Sequence, residues 1–192
     1  RKRIAESVGL DYVTVISTHV HEAPDLVGMW GDSPYQSGID PAYMELVIAQ
    51  TAQAVEQART AQRPAYLRMG ENLEGTLPML ADTRKPEIYD PALRLIQALD
   101  SETDTTLGTL ICWSNHPETL WSRNLLITSD FPHVVREGVE KGVFDGDSLM
   151  VAGLGGISVY VNGSIGGLMT TDPRTYIQDP FADTSYLEPS FD

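Results

Sequence analysis

Apolar and polar residues recur along this chain with two different periods, and each period predicts a different kind of element. Between Asp40-Pro41 and Gln62, the residues Tyr43, Val47, Ala54 and Ala58 fall on one helical face, with Gln50, Gln53, Glu56 and Gln57 largely elsewhere. The stretch reads as an amphipathic helix with Asp40 as N-cap and proline at its first position. Thr128-Ser129-Asp130 caps a second helix, in which Phe131, Val134, Val135 and Val139 face the core and Gly142 marks the end. Residues 1–8 (RKRIAESV) read as the last turns of another helix, closed near Gly9.

Short β-prone runs lie between the helices. Asp11 to Ser17 (DYVTVIS) reads as a buried strand, and Ala65 to Met69 as a short one begun at Pro64. Leu93 to Leu99 (LRLIQAL) and Thr109 to Ser114 (TLICWS) flank the acidic turn DSETDTTLG, which predicts an antiparallel hairpin. Leu149 to Met169 is Gly-rich and β-prone. The strand–helix–strand order gives the fold class: α/β, a mixed β-sheet layered with helices. Residues 22–40, with Pro24, Gly28, Gly31, Pro34 and Gly38, form a loop long enough to suggest function.

Composition narrows the function classes. The 192 residues suffice for one α/β domain or for a piece of a larger one. With 13 Lys+Arg against 27 Asp+Glu the net charge is −14, which opposes a general grip on nucleic acid or an anionic membrane. Much of that acid lies in the hairpin turn and around Glu71–Glu74 and Asp179–Asp192, away from the histidines. No apolar run approaches the about 20 residues that span a bilayer. The single Cys112 excludes an internal disulfide and a multi-cysteine zinc site, and among Leu110, Ile111 and Trp113 it reads as a small buried hydrophobe.

The chemistry concentrates on histidine. Thr18-His19-Val20-His21 stands where the first predicted strand meets the long loop. Residues i and i+2 of a strand point to one side, roughly 7 Å apart, so two imidazoles there can bind a metal, or one can bind while the other moves protons. Ser114-Asn115-His116-Pro117 ends another apolar strand, and the proline holds His116 in extended backbone. Three of the four histidines thus sit at strand C-termini, the edge where open α/β sheets bind ligands. Either His19, His21 and His116 share a site, or they are separate structural histidines. His133, one turn into a helix, reads as solvent-facing, and Arg84 by itself reads as surface charge. Gly153-Leu154-Gly155-Gly156 has no helix after it and is not a dinucleotide fingerprint. Ser158 and Ser164 stand in no nucleophile elbow.

These pieces, in this order, resemble the N-terminal catalytic domain of the neutral/alkaline ceramidase family. The family's T-H-x-H-S-G-P motif is similar to Thr18-His19-Val20-His21-Glu22-Ala23-Pro24, and R-S-P-x-x-Y to Arg84-Lys85-Pro86-Glu87-Ile88-Tyr89. D-P-x-L resembles Asp90-Pro91-Ala92-Leu93, H-P-T resembles His116-Pro117-Glu118-Thr119, and S-S-D before a helix resembles Thr128-Ser129-Asp130. The resemblance spans roughly residues 1–170. It implies zinc as cofactor, with His19 and His116 as ligands. It further implies that His21 handles protons or contacts substrate, and that Arg84 contacts an anion or oxyanion. The activity implied is hydrolysis of an N-acyl amide in a small-molecule or lipid-like substrate, by a secreted or periplasmic protein, with a cytoplasmic one as the alternative. Oligomeric state stays open.

This chain departs from the family pattern at three places. Met169 stands where the family's catalytic serine is expected, and Glu22-Ala23 replaces serine and glycine after the second histidine. The family's further glutamate and tyrosine ligands come from far along the chain, and here Tyr186 and Glu188 match by residue type alone. Residues 1–192 are therefore expected to be part of a larger ceramidase-like zinc hydrolase domain, an expectation that the missing Met at Arg1 also suits. Two other readings remain. One is a non-catalytic relative, supported by Met169. The other is a different metal hydrolase, because T-H-V-H is similar to the metallo-β-lactamase motif T-H-x-H-x-D-H. Asp25 and Leu26 stand wrongly for that motif.

Overall fold

Capping chemistry sets where both helices begin. In the computed structural model, which describes residues 9–82, 84–122, 124–166, 169–172, 177–178 and 185–186, α1 (Pro41–Thr60) opens on Asp40. Its carboxylate accepts from the amides of Ala42 and Tyr43 at 2.8 and 3.3 Å. α2 (Phe131–Lys141) opens on Asp130, which accepts from the Phe131 amide at 2.6 Å, and closes at Gly142 with φ 108°, a conformation suited to glycine. The strands are β1 (Ala65–Asn72), β2 (Leu80–Asp82), β3 (Leu93–Asp100), β4 (Thr106–Trp113), β5 (Gly142–Asp145), β6 (Ser148–Ala152), β7 (Ile157–Asn162), β8 (Met169–Thr171), β9 (Ile177–Gln178) and β10 (Ser185–Tyr186). The helix expected over residues 1–8 lies outside the described residues.

The chain divides into two units, Arg1–Ile16 with Ala23–Pro64, and Ser17–Glu22 with Ala65–Asp192. In the first, α1 carries no fully buried residue. Tyr43 and Val47 are half-buried as expected, but Ala54 and Ala58 are exposed. The covered stripe is turned toward Met44 and Val55, so the small alanines fall beside it. The loop of residues 23–40 closes on itself. Asp25 Oδ1 accepts from the amides of Val27 and Gly28 at 2.8 and 2.7 Å, and Oδ2 from Trp30 at 2.9 Å.

The second unit is built on a sheet of order β1-β3-β4-β7. β3 and β4 form the expected hairpin, antiparallel with Leu95 opposite Ile111, and β1 adds antiparallel at its edge. β7 runs parallel to β4, with Ile111 opposite Tyr160, so the sheet is mixed and the class is α/β. The crossover between them contains α2, as parallel pairing requires. Phe131, Val135 and Val139, at i, i+4 and i+8, pack on a core of Leu80, Ile111, Trp113 and Tyr160. Phe131 meets Trp113 and Tyr160 edge-on, centroids 5.0 and 5.6 Å apart. Arg136 Nε donates to the Ser158 carbonyl at 2.9 Å, and Glu140 accepts from the Ser158 amide at 2.7 Å, locking α2 to β7.

Four expectations change. Residues 11–17 form no strand and pair with none among the described residues, and Tyr12, Val15 and Ile16 are exposed. β-branched residues favour a pleated surface, but a ladder needs a partner. Val134 is exposed because it lies a third of a turn from the Phe131–Val139 stripe. Cys112 is half-buried, since it shares the sheet face of Leu110 opposite the core face of Ile111 and Trp113. On that outer face the ladder row Met69, Ile96, Leu110, Val159 is apolar and at least a third exposed along its length. The Gly-rich run 149–169 holds parts of three strands, and Gly142, read only as a helix stop, also starts the hairpin of β5 and β6. No helix among the described residues is long and apolar enough to cross a membrane.

Candidate metal centre

The first half of the site is the chain that leaves β4. Ser114, Asn115, His116 and Pro117 are all buried. Parallel pairing brings the end of β7 to the same sheet edge, and the two ends are stitched together. The Gly163 amide donates to the Trp113 carbonyl at 3.0 Å, and the Ser164 amide to Ser114 Oγ at 2.8 Å. The Asn115 amide donates to Asn162 Oδ1 at 3.3 Å. A Cβ at Gly163 would lie 2.2 Å from Ser114 Oγ, so the crossing admits only glycine without movement. Ser114 Oγ in turn donates to Asp90 at 3.1 Å. Against burial, the bonds from Arg94 and Ser114 keep Asp90 below the usual carboxylate range.

The second half is Ser17–Glu22, which is not the end of a strand. Hydrogen bonds to the end of β7, to the turn after β4 and to Thr128 hold it instead. Asn162 Nδ2 donates to the Thr18 carbonyl at 2.9 Å, and the His21 amide to the Pro117 carbonyl at 3.2 Å. The Thr128 amide donates to the Glu22 carbonyl at 3.1 Å, and the Thr128 hydroxyl to the Glu22 carboxylate. His19 itself takes φ 61°, a left-handed conformation uncommon outside glycine. The period-two argument for His19 and His21 therefore does not apply, yet their rings meet, centroids 4.9 Å apart.

His116 completes the group, its ring 4.8 Å from that of His19 and 5.5 Å from that of His21. One nitrogen from each of the three imidazoles lies within 4.8 Å of the others. Zinc–nitrogen bonds of about 2.1 Å in tetrahedral geometry put ligand atoms about 3.4 Å apart. Small side-chain rotations span that difference, so the donor set fits a divalent metal. The chemistry suits it as well. His19, by burial first and then by its neighbours His116 and His21, is held below the ordinary histidine range and favours the neutral, ligating form.

Some of the acid lies at the histidines, Glu22 as the motif comparison indicated and Glu118 besides. Glu118 Oε2 lies 2.7 Å from His21 Nδ1. That hydrogen bond raises the His21 pKa more than burial lowers it. Burial acts to raise the Glu118 pKa, but the His21 bond and the charge of the histidines outweigh it and keep the carboxyl below its usual range. Glu22 is pushed up, chiefly by burial. Glu118 is the member of the site that motif reading passed over. Its signal was its place two residues after His116, on the turn where the Glu118 amide donates to the His116 carbonyl at 2.9 Å.

The remaining expected residues lie outside the cluster. Arg84 Nη2 donates to the Gly166 carbonyl at 2.7 Å, tying the loop after β2 to the segment before β8. His133 is exposed and faces Glu137 at 3.6 Å along α2. Asp25 accepts from the backbone amides of Val27, Gly28 and Trp30 in its own loop. Glu188 lies outside the described residues, and Met169 and Tyr186 are described by backbone alone. A cleft of about 520 Å³ opens along the turn after Glu118, with Thr119, Leu120, Thr128, Asp130, Phe131 and Val134 in its walls.

No family model matches the chain, and no curated protein matches it by sequence. Solved structures do match in fold. The crystal structure of neutral ceramidase from Pseudomonas aeruginosa superposes with a TM-score of 0.65 at 13% identity, over 94% of this chain and 30% of that one. A ceramidase complexed with C2 gives 0.64 at 16% identity, over 88% of this chain and 28% of that one. The chain thus has a ceramidase-like fold and spans under a third of the length of either structure.

Proposed function

We propose that this chain belongs to a zinc-dependent hydrolase that cleaves an N-acyl amide in a lipid-like substrate, with His19 and His116 as metal ligands. The observation that carries the reading is the convergence of His19, His21 and His116 at one sheet edge, in a fold shared with neutral ceramidase. A bound metal would supply Lewis acidity, polarising an amide carbonyl and making water a stronger nucleophile near neutral pH. The residues around it provide the rest. His116 is buried and stitched to β7, so it presents its ring with little freedom. His21 faces the same centre with a carboxylate behind it. The cleft along the turn after Glu118, lined by none of the three histidines, mixes apolar Leu120, Phe131 and Val134 with Thr119, Thr128, Asp130 and His133. Arg84 is proposed to contact an anion or oxyanion. Its guanidinium carries five donors, of which the bond to Gly166 uses one.

The test is metal analysis with an activity screen. The purified full-length protein is expected to carry about one zinc per chain, lost in the His19→Ala, His116→Ala double variant, and to release fatty acid from ceramide or a short N-acyl amine in a chelator-sensitive way. Undiminished zinc in the double variant refutes the ligand assignment. Zinc without turnover on any N-acyl substrate refutes the amidase reading and favours a non-catalytic role.

A further inference from the structure

We propose that the loop of residues 23–40 docks on a lipid–water interface with uncharged or zwitterionic headgroups, led by Trp30 and Tyr35. The loop is closed by its own backbone. Asp25 accepts from the amides of Val27, Gly28 and Trp30 at 2.8, 2.7 and 2.9 Å. The Gln36 amide donates to the Ser33 carbonyl at 3.0 Å and turns the chain back. A Cβ at Gly31 would lie 1.9 Å from the Gln36 carbonyl oxygen, and one at Gly38 2.4 Å from that of Trp30. The two arms therefore meet backbone to backbone, where a side chain has no room. With its inside taken by peptide groups, the loop sends its large side chains outward. Trp30 is 80% exposed and Tyr35 99%, and Val27 and Met29 are exposed with them. Single exposed apolar residues are ordinary, but four between residues 27 and 35 of one closed loop are a concentration that needs an occupant.

Side-chain type and charge select that occupant. Trp and Tyr join a broad apolar ring to one polar N–H or O–H, which suits them to a boundary with one dry side and one wet side. No Lys or Arg stands between residues 4 and 58, while the loop itself carries Asp25 and Asp32. A second copy would bring carboxylates against carboxylates with no cation between them, in a chain of net charge −14. An anionic membrane repels the loop for the same reason. An uncharged or zwitterionic interface carries no such penalty. A loop already ordered by its own hydrogen bonds also loses little freedom on docking. The inference rests, for its purpose, on the lipid-like substrate proposed above: an amphiphile resides in an interface, and the protein that cleaves it has to meet one.

The test uses the full-length protein and phosphatidylcholine vesicles, with and without phosphatidylserine, and reads binding by co-sedimentation. The wild type is expected to bind phosphatidylcholine, and to bind less as phosphatidylserine is added. The Trp30→Ala, Tyr35→Ala double variant is expected to bind at least about tenfold more weakly. Trp30→Phe with Tyr35→Phe is expected to keep most of the binding. In turnover, the double alanine variant is expected to lose about tenfold in kcat/KM on vesicle-borne ceramide and nothing on a short, soluble N-acyl amine. A wild type that ignores phosphatidylcholine overturns the inference, as does tighter binding with phosphatidylserine or a double alanine variant that binds like the wild type. So does a Trp30 shielded from iodide quenching before vesicles are added, read as the difference between wild type and Trp30→Phe, because another part of the protein then covers it. Vesicle binding that depends on Trp30 and Tyr35, without turnover of any N-acyl substrate, supports the docking loop and refutes the amidase reading alone.

Discussion

The two segments that deliver the histidines are built by opposite means. His116 follows a central strand, and its neighbours Ser114, Asn115 and Pro117 are buried, with Asn115 tied to the end of β7 and Ser114 to the residue Ser164 just beyond it. His19 and His21 ride on an exposed stretch that joins no ladder among the described residues and is held by separate hydrogen bonds, among them those to Asn162, Pro117, Thr128 and Glu118. A ligand on the first segment inherits the rigidity of the sheet. A ligand on the second is only as well placed as its straps. The proposed metal would do more for the second, because bonds to an ion would add to a segment that lies outside the sheet.

The comparison can be broken in order of expected effect. Gly163→Ala acts on the rigid side, where the added Cβ meets Ser114 Oγ at 2.2 Å. Overpacking of this kind costs about 1–3 kcal/mol. A fall in denaturation midpoint together with weaker zinc binding is expected, and an unchanged midpoint would show that the β4–β7 crossing yields. Next comes Asn162→Ala, which removes the bond to the Thr18 carbonyl and frees the Asn115 amide. It touches both segments, also removes an acceptor of the Tyr160 hydroxyl, and is expected to cost about 1–3 kcal/mol, read from chemical denaturation.

Thr128→Val removes the hydroxyl bond to Glu22 and also the acceptor of the Asp130 amide, while the Thr128 amide keeps its bond to the Glu22 carbonyl. About 1 kcal/mol is expected, seen as faster amide hydrogen exchange over residues 17–22 with little change over 111–117. Equal acceleration in both would mean that the two segments open together. The smallest effect separates strain from ligation. With His19 at φ 61°, His19→Gly should be more stable than His19→Ala by about 1 kcal/mol, although both lose the ligand. Equal melting temperatures would show that the left-handed turn costs the chain nothing.

Much of this was legible in the sequence, for reasons that differ by element. The β3–β4 hairpin and both helix starts follow from local rules: an acidic turn between alternating runs, and Asp before Pro or Phe. The grouping of His19, His21 and His116 was one of two open readings, and the structure brings them together. Its reasoning was partly wrong, since the Thr18–His21 stretch is no strand. A β-branched run declares a preference for extended backbone, but only the fold decides whether a partner lies alongside. Glu118 went unread because its meaning comes from His21, nearly a hundred positions away in the chain. Carboxylates are common enough in an acidic sequence that one of them carries no signal until a partner is seen.

The glycine at the β4–β7 crossing has a consequence for genetics. It carries no reactive group, yet it decides how closely two strand ends approach beneath His116. A blind screen for variants that fold but no longer hold metal should return Gly163 alongside the histidines. Whoever ranked such hits by chemical function would discard it first.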